Sequence, residues 1–91
     1  MKKIILALAV GLLSVAATVP QFFYYSDIRR AIAVRDNEEG SVIVKDRTNQ
    51  IVLTYQYNAN TSRWVSVSRL APGQYTAQTS NGGGFTFYKR P

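Results

Sequence analysis

From Ala31 onward the chain alternates. Six short segments carry apolar side chains at every second position, and clusters of turn-forming residues interrupt them about every ten residues. A period of two puts successive side chains on opposite faces of an extended strand. It is incompatible with an amphipathic helix, and no helical stripe appears after residue 30. The chain beyond that point is therefore all-β.

The segments are Ala31–Arg35, Ser41–Lys45, Gln50–Tyr57, Arg63–Ser68, Gln74–Thr79 and Phe85–Lys89. Gln50–Tyr57 is the clearest: Ile51, Leu53, Tyr55 and Tyr57 share one face, and Val52, Thr54 and Gln56 the other. Between the segments lie Asn37-Glu38-Glu39-Gly40, Asp46-Arg47-Thr48-Asn49, Ala71-Pro72-Gly73 and Ser80-Asn81-Gly82-Gly83-Gly84. Gly40 tolerates a positive φ, and Asn49 is the residue of its turn best able to take one. Short strands at this spacing predict an antiparallel sandwich or barrel. Residues 30–91 form this domain, and 18–29 precede it as an arm or a further edge strand. The expected core is Ile32, Val34, Val42, Val44, Ile51, Leu53, Tyr55, Val65, Val67, Leu70, Tyr75, Phe85 and Phe87. Gln50–Asn58 is uncharged and free of Pro, and the reading favours a central, buried strand. At an edge it would be a pairing or aggregation site.

The first twenty residues read as an address. Lys2 and Lys3 precede an apolar run, Ile4–Leu13, and Val15 and Ala17 form a small-residue cleavage site. Residues 1–17 are read as a signal peptide with a helical apolar run, and cleavage after Ala17 leaves 74 of the 91 residues. The alternative is an uncleaved anchor, since Phe22-Phe23-Tyr24-Tyr25 would suit a membrane interface. Membrane contact is expected only in that case. Either way the domain is exported: periplasmic, associated with the outer membrane, or extracellular.

Composition narrows the chemistry. Cys and His are both absent, so no thiol nucleophile, imidazole base or His/Cys zinc site exists. Glu38 and Glu39 are adjacent and would point to opposite faces, unlike a glycosidase pair. Asp36, Glu38 and Asp46 would form a weak Ca²⁺ site only if they met at one end of the fold, and EF-hand spacing is absent. Gly82-Gly83-Gly84 lacks the residues of a phosphate loop and reads as a hairpin connection. The expectation is a protein that is not an enzyme and uses no cofactor or metal. Without Lys2 and Lys3, nine of the eleven basic residues remain against five acids, net +4. They are scattered, with no run longer than two, so no nucleic-acid partner is expected.

The aromatic residues suggest a binding face. Val65 and Val67 claim the interior, so period two turns Trp64 outward. If the strands concerned are neighbours, Trp64 and Tyr88 share a polar face with Gln56 and Gln78. Such a face suits sugar rings or a protein surface. The alternative use of Trp64 is to pack against Phe22–Tyr25.

Ser41–Lys89 resembles a small Ig-like sandwich module of exported Bacteroidetes proteins. The matching elements are Val42-Ile43-Val44-Lys45-Asp46, Ile51-Val52-Leu53, Val65-Ser66-Val67, Leu70-Ala71-Pro72-Gly73-Gln74-Tyr75 and Phe85-Thr86-Phe87. The Leu-x-x-Gly-x-Tyr element is similar to that of small signal-peptide-bearing sandwich proteins of unknown function. It is also similar to that of the C-terminal sorting domain of type nine secretion cargo. Only about a dozen residues separate the cleavage site from the first strand, which favours the stand-alone group. The resemblance implies an Ig-like β-sandwich of six to seven short strands and no catalytic residue. The expected function is a non-catalytic binding module at the cell envelope, with an envelope protein or glycan as partner. The alternatives are an assembly component that pairs through strand edges and a sorting-domain-like secretion signal.

Overall fold

The computed structural model describes residues 19–91, so the segment read as an export signal lies outside the described residues. Seven strands follow in order: β1 (Phe22–Ser26), β2 (Ala31–Asp36), β3 (Gly40–Asp46), β4 (Ile51–Tyr57), β5 (Thr61–Ser66), β6 (Gly73–Thr79) and β7 (Gly84–Lys89). The six expected strands are present, and Phe22–Ser26 adds the seventh. All pair antiparallel, in a three-stranded sheet β1-β2-β5 and a four-stranded sheet β4-β3-β6-β7. β1–β2, β3–β4 and β6–β7 are hairpins, whereas the other three connections cross between sheets.

The inward rows of both sheets meet in one core: Ile32 and Val34 from β2, Val42 and Val44 from β3, Val65 and Val67 at β5, Tyr75 and Ala77 from β6, and Phe87 from β7. Tyr57 closes the β4 side. Burial of each large aliphatic side chain stabilises the fold by roughly 1.5–3 kcal/mol. Phe23 and Tyr25 of β1 seal the flank over β7, with Phe23 edge-on to Phe85 at 4.8 Å and Tyr25 stacked on Phe87 at 4.3 Å. The corner before β6 is held by the Tyr75 hydroxyl, which donates to the Ala71 carbonyl at 2.6 Å.

Several expectations require correction. Ile51 is not a core residue: it is 59% exposed. β3 pairs Val44 with Leu53 but Lys45 with Ile51, so Val52 is an extra residue on β4. This bulge turns Ile51 to the face that Lys45 occupies. Leu53, Tyr55, Leu70 and Phe85 pack against the core but are only half-buried. β4 is an edge strand, not a central one. The buried hydrophobic residues missing from the expected core are Ala31, Ala33, Tyr57 and Ala77, whose size or polarity weakens the hydrophobic signal.

The turns follow their residues in part. Asn49 has φ 68°, and Gly82 and Gly83 have φ of 103° and 88° in the β6–β7 hairpin. Gly40 is not in the left-handed region. It is required by crowding, since a Cβ there would lie 2.7 Å from Asn81 Nδ2 and 2.8 Å from the Tyr57 hydroxyl.

That crowding marks a polar lock between the sheets. The Asp36 carboxylate, 2% exposed at the end of β2, accepts bonds from the Tyr57 hydroxyl (2.7 Å), Asn81 Nδ2 (3.0 Å) and the Glu38 N–H (3.0 Å). Asn81 Nδ2 also donates to the Glu39 carbonyl at 2.9 Å. Burial pushes the Asp36 carboxyl up, but the bonds from Asn81, Glu38 and Tyr57 outweigh it and hold it below the usual aspartate range. Burial and the adjacent Asp36 push the Tyr57 phenol well above its ordinary value. Asp46 lies at the opposite end of β3, about 20 Å from this lock at strand rise. Asp36, Glu38 and Asp46 therefore do not meet in a cation site. Asp46 serves its own turn, accepting from Thr48 and Gln50.

Candidate binding face

The four expected site residues are not on one surface. Gln56, Gln78 and Tyr88 lie on β4, β6 and β7 of the four-stranded sheet, and Trp64 lies on β5 of the other. Their strands are not neighbours in the way a common face requires. Even within the four-stranded sheet, Tyr88 pairs with Gln74, four residues along β6 from Gln78, a displacement of about 13 Å.

The structure gives Trp64 different companions. Four consecutive aromatics in β1 alternate: Phe23 and Tyr25 point into the sandwich, leaving Phe22 and Tyr24 on the outer face. The register then aligns three outward rows across β1, β2 and β5: Phe22–Arg35–Ser62, Tyr24–Ala33–Trp64 and Ser26–Ala31–Ser66. The central strand contributes alanine to two of these rows. Its small side chains let the flanking rings lean together, with Tyr24 and Trp64 centroids 5.9 Å apart at 86°. Beneath them Ala33 is only 9% exposed although it faces outward. Trp64 therefore points outward, as alternation predicts, and also packs against β1.

Two arginines complete the surface. The β1–β2 turn is closed by Arg30 at φ 48° and by the Arg29 N–H donating to Ser26 Oγ at 3.3 Å. The turn places the Arg29 guanidinium 4.6 Å from the centre of the Trp64 ring. The Arg35 guanidinium lies 5.8 Å from the centre of Phe22. Each is a cation–π arrangement, worth about 0.5–1 kcal/mol at an exposed site. The rings remain partly open: Phe22 is 52%, Tyr24 48% and Trp64 43% exposed. Together they bound a groove of about 320 Å³, lined also by Ala33, Arg35, Ser62 and Arg63.

A larger depression, about 740 Å³, opens between the β1 and β7 edges. Four of its six aromatics, Phe23, Tyr25, Phe85 and Phe87, pack on one another in the core flank, and Tyr24 and Tyr88 stand at its margins. The Tyr25 hydroxyl is buried there without a hydrogen-bond partner among the described residues, and burial raises its pKa.

Sequence reasoning found Trp64 but missed Phe22, Tyr24, Arg29 and Arg35 as its companions. The available signal was the pair of alanines in β2 beside four aromatics in a row: small residues on one strand mark a floor only when bulky neighbours stand beside it. The Asp36–Tyr57–Asn81 lock was also missed. Its signal was a carboxylate in phase with Ile32 and Val34. No protein-family model, curated protein or solved structure matches this chain.

Proposed function

We propose that the chain is an exported, non-catalytic binding module of the cell envelope that holds a saccharide in the groove between Tyr24 and Trp64. The carrying observation is the Tyr24–Trp64 pair arched over Ala33, with Phe22 and two guanidinium groups beside it. Aromatic side chains with apolar faces and polar rims suit the mixed surface of a sugar ring. Export is supported by the Lys2-Lys3 pair, the apolar run and the Val15/Ala17 site. A non-catalytic role is supported by the lack of His and Cys, and by the bonds that already occupy both Asp36 oxygens. An Ig-like identity is supported by the three-plus-four division of strands and by the Tyr75–Ala71 bond, which has the form of a tyrosine corner. A saccharide array probed with the protein tests this reading. Binding should be lost in Trp64→Ala and in Ala33→Leu, which fills the floor. Binding that survives both substitutions but is lost in Tyr88→Ala would move the site to the other sheet.

A second reading, assembly through a strand edge, is favoured by β4. Ile51–Tyr57 carries no charge and no Pro, and it lies at the edge of its sheet. Such an edge invites pairing with another strand. Sedimentation over a range of concentrations should then show association that Thr54→Lys abolishes. A monomer at every concentration would remove this second reading.

A further inference from the structure

The groove also carries a charge signature, and its interpretation rests on the saccharide-binding reading. Arg35, on the outward row of β2, lines the groove and Arg29 covers the Trp64 ring, whereas Arg63 pairs with the inward Val34 and belongs to the opposite face of β5. No carboxylate is among the lining residues. The carboxylates of the described chain are engaged or elsewhere. Asp27 pairs with Arg90, Asp36 is inside the polar lock, Asp46 caps its own turn, and Glu38 and Glu39 belong to the β2–β3 connection. Among the described residues, neither Arg29 nor Arg35 forms an ion pair. A guanidinium keeps its charge at any relevant pH and presents a planar fork to carboxylate or sulfate. A neutral ligand in this groove would take water from these groups and return no counter-charge.

We propose that the Tyr24–Trp64 groove binds an acidic polysaccharide, a saccharide chain bearing carboxylate or sulfate groups, which Arg29 and Arg35 receive while the sugar rings lie against Phe22, Tyr24 and Trp64. The floor supports a side-chain mode of recognition. β2 is the central strand, so its backbone is paired on both sides with β1 and β5 and offers no edge to a peptide strand. A bilayer surface cannot enter a groove whose floor is Ala33 beneath two rings. A nucleic-acid strand calls for a longer basic track, and no basic run in the sequence exceeds two residues.

The test is titration of the full protein, followed by emission of its single tryptophan, with polygalacturonate, heparin, neutral dextran, oligo-dT and polyglutamate. Polygalacturonate or heparin should perturb Trp64 emission; the first offers carboxylate alone and the second sulfate as well as carboxylate. The affinity should fall as salt rises from about 50 to about 200 mM. Arg29→Gln and Arg35→Gln alter exposed side chains and should fold. Each should weaken acidic-chain binding roughly tenfold, as loss of a charge-assisted bond does. Equal binding of dextran, with no effect of either Arg substitution, would overturn the acidic ligand and leave the saccharide reading standing. Tighter binding of oligo-dT or polyglutamate would overturn both and replace the ligand class. Acidic-chain binding unaffected by the Arg substitutions would place it outside this groove. No response to any saccharide would overturn both readings.

Discussion

The two outer faces of this sandwich arise from the same alternation and have opposite characters. On the three-stranded sheet, alanines in the central strand lie between aromatic and arginine side chains, and the surface is concave. On the four-stranded sheet the central strands carry Ile43, Lys45, Thr76 and Gln78 outward, flanked by Thr54, Gln56, Thr86 and Tyr88. There the middle of the sheet is as tall as its margins. The difference shows that a groove on a sheet face requires short residues in the middle as much as large ones at the sides. A lone exposed aromatic such as Tyr88 does not make one.

Both faces cover one shared interior, and the largest expected effect tests this. Ile32 is fully buried on the inner side of β2, so Ile32→Ala should cost roughly 2–5 kcal/mol in denaturant unfolding. Val52→Ala, on the outer side of β4, should cost under about 1 kcal/mol. Similar losses would mean that inner and outer faces are wrongly assigned.

The polar lock joins the sheets whose outer faces differ. Asp36→Ala would strand the Tyr57 hydroxyl and the Asn81 amide, at a cost of about 1–3 kcal/mol. Its pH dependence has a definite sign. The folded Asp36 pKa lies below the unfolded value of about 3.9, so its contribution is present above that value. It is lost as pH falls through the lower folded pKa. Acid titration of stability should therefore be shallower in Asp36→Asn than in the parent, and an unchanged acid limb would contradict the assignment.

Filling the floor should erase the contrast between the faces. Ala33→Leu must push Tyr24 and Trp64 apart, at an expected cost of about 1–3 kcal/mol. Trp64 emission should move to longer wavelength. Thr76→Leu on the other sheet should stay within about 0.5 kcal/mol. The smallest effect compares the two aromatics themselves. Trp64→Ala forfeits an edge-to-face contact and a cation–π contact, about 1 kcal/mol in thermal unfolding. Tyr88→Ala should be close to neutral. A larger loss at Tyr88 would reverse the ranking of the two faces.

Much of this architecture is legible in the residues alone. Period two placed the strands after residue 30 and turned Ile32, Val34, Val42, Val44, Val65, Val67, Tyr75 and Phe87 inward. The chemistry of Asn49 located a left-handed turn residue, and Val65 with Val67 forced Trp64 outward. These features depend on local backbone geometry and on which side of one strand is apolar, and a single sequence carries both. Tertiary structure alone decided which strands are neighbours. Alternation is the same whether a strand lies in the middle or at an edge, so β4 reads as central although it is not. The bulge that exposes Ile51 is a mismatch between two strands and is invisible in either one. For the same reason Trp64 is separated from Tyr88, Gln56 and Gln78 and joined to Phe22, Tyr24 and Arg29: face partners are set by long-range pairing, which no local pattern encodes.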